Sequence, residues 1–287
     1  MKRELCAGEH ALIVGGGYAG ERLAAVLRER GVCVTVTTRS GRAVAGAPSL
    51  AIDLDNSQMA DLPRHDVVYY LAPPPPDGET DPRSEALIAA LDPQPPSRAA
   101  ILVSTTGVYG DCEGAEVYEQ SAVNPGTARG RRRVASEAVW RAACARWRRP
   151  LAVLRVAGIY GPGRLPVRRL ESGQPVLSPA LAPVSNRIHI DDLVSALHDA
   201  AGLDGTLDVA DGSPRTVTDF YHLLADATGR QRLPETDDAS AVPVLRAGFG
   251  ESRRVPAKRL QTLLGGLRYP DISVGLQASV EAESRLG

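Results

Sequence analysis

The stretch that most restricts this chain lies between residues 11 and 38. A short apolar run at residues 11–14 ends directly in Gly15-Gly16-Gly17-Tyr18-Ala19-Gly20. Helical spacing follows in Leu23, Ala24, Val26 and Leu27, Gly31 closes it, and residues 32–38 are rich in β-branched side chains. Strand, glycine turn, helix and strand in about 30 residues make a βαβ unit. Gly15, Gly17 and Gly20 sit where such a turn must be tight, where backbone must approach a pyrophosphate, and where helix packs on strand. The N–H groups and dipole of the following helix add positive potential for phosphates. The pattern predicts a dinucleotide site whose turn is Gly15, Gly17, Tyr18, Ala19 and Gly20.

The end of the second strand bears on which dinucleotide. A site selective for NAD wants an acid there for the ribose 2′-OH. This sequence has Thr37-Thr38-Arg39-Ser40, with Arg42 beyond. Arg39 is placed to pair with a 2′-phosphate, which predicts NADP(H) in preference, with NAD(H) still admissible; the alternative is a surface arginine capping a strand end. Asp53 is a candidate for the adenine amino group or, equally, a loop-capping aspartate.

Further along, residues 67–71, 100–103 and 151–156 read as buried parallel strands. Helices are expected near 84–91 and over 136–146, and the prolines at 73–76 and 93–96 require loops. Alternating strands and helices predict an α/β fold, a Rossmann-type doubly wound parallel sheet with a small C-terminal substrate lobe. The expected division is residues 1–157 for the dinucleotide-binding domain and 158–287 for the lobe, partly interleaved with the sheet. In the lobe, 161–163 and 178–183 are loop-rich and helices are expected over 191–201 and 218–228. Residues 233–249 form an irregular excursion with no assigned function, and 250–264 read as a strand and helix. The lobe is expected over the carboxyl ends of the strands, where open α/β sheets bind ligands.

The 287 residues are 43% hydrophobic and 23% charged, with a net charge of −1. Such a balance supplies no field for nucleic acid or an anionic membrane. The arginine clusters 129–133 and 146–149 therefore read as solvated helix faces. Cys6, Cys33, Cys112 and Cys144 lack CxxC spacing, so reduced, partly buried thiols are expected and no metal site. No apolar run approaches 18 residues, and residues 1–8 lack a signal-peptide core. A soluble cytoplasmic protein is the expectation.

Several motifs together resemble the extended and atypical short-chain dehydrogenase/reductases and their NAD-dependent epimerase/dehydratase relatives, most closely the bacterial nucleoside-diphosphate-sugar epimerase branch. They are GGGYAG, YYLAPP at 69–74, STTGVYG at 104–110, GIYGPGR at 158–164 and NRIHIDDL at 186–193. The resemblance implies cofactor contacts at Leu71 and Ala72, a substrate hydrogen bond from Thr105, and a homodimer. It also implies a Tyr-x-x-x-Lys pair with a Glu four residues after the Lys. Glu137 fits that Glu, so Arg133 stands at the Lys position and Arg129 at the Tyr position. Arg133 could still hold ribose hydroxyls. Arg129 cannot act as a general acid–base, since arginine stays protonated. The only lysines are Lys2 and Lys258, and neither has a tyrosine four residues before it.

Tyr109, Tyr118, His189 and Asp191 are the candidates for a substitute proton carrier. Each has a structural alternative: packing for Tyr109, a surface loop position for Tyr118, a helix cap for Asp191 and loop fixation for His189. Arg155, Arg164 and Arg187 could grip an anionic substrate such as a nucleotide-sugar. Three readings stay open: a redox or epimerase-type enzyme with an atypical active site, an NADP(H) sensor, and a Rossmann scaffold turned to non-redox chemistry.

Overall fold

A computed structural model of the chain describes residues 5–56, 61–92, 97–242 and 250–285. Six strands come first: β1 His10–Val14, β2 Cys33–Thr38, β3 Ser49–Ala51, β4 Val67–Tyr70, β5 Ala99–Thr105 and β6 Leu151–Val156. Short strands follow: β7 Gly158–Tyr160, β8 Val176–Leu177, β9 Val184–Ser185 and β10 Arg187–His189, then β11 Gly205–Val209, β12 Arg215–Thr216 and β13 Glu235–Thr236. Seven of them form one sheet in the order β11-β6-β5-β4-β1-β2-β3. The strands build outward from β1 in both directions, as expected for a doubly wound fold. The order reverses between β1 and β4, the switch point at which open α/β sheets bind ligands. β1, β4, β5 and β6 are nearly continuous buried apolar runs, the pattern of strands covered on both faces.

Two compact units divide the chain. One comprises Met1–Val108, Ala128–Arg155 and Val194–Leu207; the other Tyr109–Thr127, Val156–Leu193 and Asp208–Gly287. In the first, α1 (Tyr18–Glu29) buries Leu23, Ala24 and Leu27. α2 (Pro82–Leu91) starts two residues before the expected 84. Asp81 caps it by accepting the Ser84 N–H, and Pro82 takes the first position, where its missing N–H costs nothing. α3 (Ala128–Trp147) begins eight residues before the expected 136. The arginine run that concealed this start is not a solvated face throughout: Arg132 and Arg133 are buried, and they donate to backbone carbonyls, Arg132 to Gly78 O at 2.7 Å and Arg133 to Val103 O at 2.9 Å.

The core of this unit gathers Leu12, Val68, Leu87, Leu102 and Trp140. Ser84 ties α2 to α3, because its Oγ donates to Asp81 at 2.6 Å and accepts the Trp140 Nε1–H at 3.1 Å. Behind it, the buried carboxylate of Glu137 accepts from Arg155 at 3.1 and 2.9 Å and from Ser104 Oγ at 2.6 Å. Burial alone would raise the Glu137 pKa, but the hydrogen bonds and charge of Arg155 hold it below the usual carboxylate range.

In the second unit β7 and β10 pair in parallel. A second core collects Tyr160, Leu170, Phe220, Leu224 and Leu276. Its helices are α4 (Val167–Glu171), α6 (Val217–Thr228), α7 (Lys258–Leu264) and α8 (Ile272–Ser284); α5 (Ile190–Asp199) crosses the boundary. α6 opens with a reciprocal Thr216/Asp219 cap and stops at Gly229, whose φ of 63° a glycine adopts without strain. The strand expected within 250–264 is a single parallel bridge between Glu116 and Arg254, followed by α7. Its partner, the loop around 112–117, is too irregular to extend the ladder. Of the expected loops, 93–96 lies outside the described residues, as does 243–249 of the excursion. The cysteines, expected to be partly buried, span the range: Cys6 and Cys33 are exposed, Cys112 is intermediate and Cys144 buried, and none forms a disulfide. No helix among the described residues is long and apolar enough to cross a membrane.

Candidate functional site

The first unit carries the glycine turn at the switch point. Register places Val14 beside both Thr37 and Tyr70, so β1 and β4 end together and β2 runs one residue further. Gly15 follows with φ 114°, a left-handed conformation that a side chain would strain. A Cβ there would also lie 2.9 Å from Ala72 N. A Cβ at Gly20 would overlap Gly15 O, whereas one at Gly17 would meet nothing within 4 Å. Turn, packing and open approach thus fall on separate glycines. Gly17 is the N-cap of α1, and the first turn of a helix presents N–H groups that lack intrahelical acceptors. Open backbone at a helix N-terminus is the cradle a pyrophosphate requires, so these residues fit a dinucleotide.

Thr38 ends β2, and Arg39 follows with its side chain 72% exposed. Its guanidinium lies 3.8 Å from Asp53 and 3.6 Å from Asp55. Asp55 is more firmly bound to Arg83, which grips it twice at 2.6 Å and donates to Pro73 O at 3.0 Å. The Arg83 hydrogen bond holds the Asp55 carboxyl below its usual range. Arg42 folds back to donate to Gly16 O at 2.7 Å and lies 3.6 Å from Glu21. Sequence reasoning overlooked Asp55, Arg83 and the contact of Arg42 with the turn. Only the crowding of arginines after β2 hinted at the last.

β5 runs three residues beyond the Tyr70–Leu102 pair, and Thr105 is its last residue. The Thr105 hydroxyl accepts the Gly107 N–H at 3.1 Å. Arg133 reaches the same strand ends from α3, donating to Val103 O at 2.9 Å and Ala72 O at 3.4 Å. The structure thus joins Arg133, Ala72 and the end of β5, while Leu71 donates its N–H to Val14 O at 2.9 Å. Burial pushes the Arg133 guanidinium down to about 10, which still leaves it charged at neutral pH. Arg129 lies in the first turn of α3, exposed.

Tyr109 and His189 belong to the second unit. The Tyr109 hydroxyl donates to Asp208 at 2.7 Å, and the ring is buried. His189 is 2% exposed, with its ring 4.0 Å from Tyr269 and 5.2 Å from Tyr160. Its Nδ1 accepts the Asp191 N–H at 3.2 Å, and its Nε2 lies 3.3 Å from Ser279 Oγ. Tyr118 is exposed and donates to Glu116. Of the three arginines considered for an anionic substrate, Arg155 is buried against Glu137, Arg164 is exposed and Arg187 is partly buried.

The sheet order and glycine turn define an NAD(P)-binding protein of the Rossmann class. Residues 11–204 match the model of the NAD dependent epimerase/dehydratase family, and the chain belongs to that family. No curated protein matches it. Among solved structures it is similar to a conserved protein of unknown function from Silicibacter pomeroyi DSS, 32% identical over 96% of this chain and 99% of that one, with a TM-score of 0.80. It also shares its fold with MoeE5 in complex with UDP-glucose and NAD, at 22% identity over 96% and 99% of the two chains and a TM-score of 0.77. A third is the UDP-glucuronic acid 4-epimerase from Bacillus cereus in complex with NAD, 18% identical over 96% and 99%, with a TM-score of 0.75.

Proposed function

We infer that the protein binds NADP(H) in preference to NAD(H) and acts on a small anionic substrate of the nucleotide-sugar class, as an oxidoreductase or epimerase with an atypical active site. The observation that carries the reading is the open backbone of Gly17 between the fixed glycines of the turn, at the N-terminus of α1 and the sheet's switch point. The glycine turn would hold the pyrophosphate and Arg39 the 2′-phosphate, with Asp53 near the adenine. Leu71 and Ala72 would line the site. Arg133, anchored on Val103 O and Ala72 O, would hold the nicotinamide ribose. When bound, the cofactor supplies hydride acceptance and donation. Thr105 would orient the substrate oxygen with its hydroxyl.

Tyr109 and His189 we assign to packing, since each is buried in contacts of its own unit. An arginine side chain is a poor general acid–base, so with arginines at both positions the proton path falls to the substrate or to solvent. The second reading is an NADP(H) sensor without turnover, favoured by the exposed Arg129 at the position where the resemblance implies the Tyr. Four cysteines outside any disulfide suit the cytoplasm, and the family resemblance suggests a homodimer.

Titration calorimetry with NADPH, NADP⁺, NADH and NAD⁺ tests the cofactor reading, followed by NADPH absorbance with nucleotide-sugars. Arg39→Asp should weaken NADPH binding at least about tenfold and NADH binding far less, since a charge-assisted hydrogen bond is worth about 1.5–3 kcal/mol. Equal losses for both would remove Arg39 from the site. Binding without turnover on any substrate would leave the sensor reading.

A further inference from the structure

In the first unit β2 and β3 run side by side with Thr38 opposite Ala51, which brings Arg39, just past β2, against the turn just past β3. That turn closes on itself: Asn56 donates its N–H to Asp53 O at 3.1 Å, and Asp55 donates its own to Asp53 Oδ1 at 3.2 Å. Arg39 faces the Asp53 and Asp55 carboxylates at 3.8 and 3.6 Å, too far for a hydrogen bond to either. Asp55 is held from its other side. Arg83 grips both of its oxygens at 2.6 Å, and Arg83 is itself 11% exposed and anchored on Pro73 O and Pro74 O at 3.0 and 3.3 Å. A two-pronged guanidinium–carboxylate pair fixes orientation as well as distance. The Arg83 hydrogen bond also holds the Asp55 carboxyl below its usual range, so it is ionised at neutral pH.

Each arginine around the end of β2 therefore meets a carboxylate: Arg39 meets Asp53 and Asp55, Arg83 meets Asp55, and Arg42 meets Glu21 at 3.6 Å. A 2′-phosphate arriving at Arg39 finds a cation whose charge is already opposed, and the Asp55 carboxylate is pinned where it stands. Exposed charges act on one another over about 10 Å at ordinary salt. A fixed carboxylate beside Arg39 thus weakens the hold on a phosphate dianion and leaves an uncharged ribose 2′-hydroxyl nearly untouched.

We propose that Asp55, locked in place by Arg83, is a selectivity residue of the dinucleotide site: its carboxylate opposes a 2′-phosphate held by Arg39 and narrows the preference for NADP(H) over NAD(H). The inference deepens the cofactor reading above, on which it rests for the phosphate, and gives α2 a part in that reading through Arg83.

Titration calorimetry of the full chain with NADPH and NADH tests it, on wild type, Asp55→Asn and Arg83→Gln. The readout is the ratio of the two affinities, in which a general loss of folded protein cancels. Asp55→Asn removes the opposing charge and should tighten NADPH about 3- to 10-fold relative to NADH. Arg83→Gln leaves the Asp55 charge without its partner and should weaken NADPH by about the same factor relative to NADH. Both shifts should shrink as salt rises from about 0.05 to 0.5 M. A ratio that Asp55→Asn leaves unmoved, shifts in the same direction for both variants, or shifts that persist at high salt would overturn the proposal and assign the pair to holding the loops after β3 and β4. Wild type that binds NADH as tightly as NADPH contradicts the preference itself, and the opposite shifts of the two variants still decide Asp55. A clear preference for NADPH with an unmoved ratio removes Asp55 alone, and binding of neither cofactor overturns both.

Discussion

Replacing Asp211 with asparagine should make the protein more stable, and increasingly so as the pH rises. Asp211 is 2% exposed, and burial pushes its pKa from 3.8 up to about 7. In the folded state the carboxyl therefore keeps its proton over a range in which the unfolded chain has released it. The folded state binds more protons between about pH 4 and pH 7, so stability falls as pH rises through that window. A tenfold difference in proton affinity between the two states is worth ~1.4 kcal/mol, so a roughly thousandfold difference costs ~4 kcal/mol once Asp211 is fully ionised. Most of that loss, ~3 kcal/mol, falls between pH 5 and pH 8. Asparagine is close to isosteric, does not titrate, and keeps an Oδ1 to accept the Ser213 N–H, now at 2.9 Å. The assay is thermal melting of wild type and Asp211→Asn at both pH values. At roughly 2–4 °C per kcal/mol, the gap in Tm should widen in favour of the variant by on the order of 6–12 °C. A gap independent of pH, or a variant less stable at pH 8, would refute the reasoning.

Gly20→Ala should lower both Tm and dinucleotide affinity severely, since its Cβ would overlap Gly15 O, while Gly17→Ala should spare the fold and weaken only binding; paired melting curves and titrations check the contrast, and similar Tm losses would contradict it. Glu137→Ala should destabilise by about 3–5 kcal/mol, because it strands the buried Arg155 guanidinium, and a denaturation midpoint close to wild type would mean that solvent reaches that pair.

The sequence announced the first βαβ unit because glycine spacing there answers to steric demands that few other residues can meet. It concealed the start of α3, since a run of arginines reads as solvated while Arg133 spends its charge on carbonyls at two strand ends. α8 escaped for a related reason: ISVGLQASVEAES mixes glycine and serine into a helix whose buried face includes Gly275 and Ser279 beside Ile272 and Leu276. At the candidate site, the expectation that Arg129 and Arg133 stand at the family's Tyr and Lys positions rests on residue identity alone. The engagement of Arg39 by Asp53 and Asp55, of Asp55 by Arg83 and of Arg42 by Gly16 was not legible in the sequence. Those contacts join residues whose neighbourhood depends on how the loops after β2, β3 and β4 close.

The threading of the chain through its two units also governs how the protein can be made. The first unit takes its last segment, Val194–Leu207, only after much of the second has been synthesised. That segment carries Ala201, whose carbonyl accepts from Arg98 at 3.3 Å, and Asp204, whose carboxylate accepts the Leu151 N–H at 3.1 Å. On the ribosome, the nucleotide-cradling half must therefore wait for residue 207 before its edge can close, leaving β6 exposed in the interval. A gene fragment stopping near residue 157 would hold every glycine of the turn and still lack that closure.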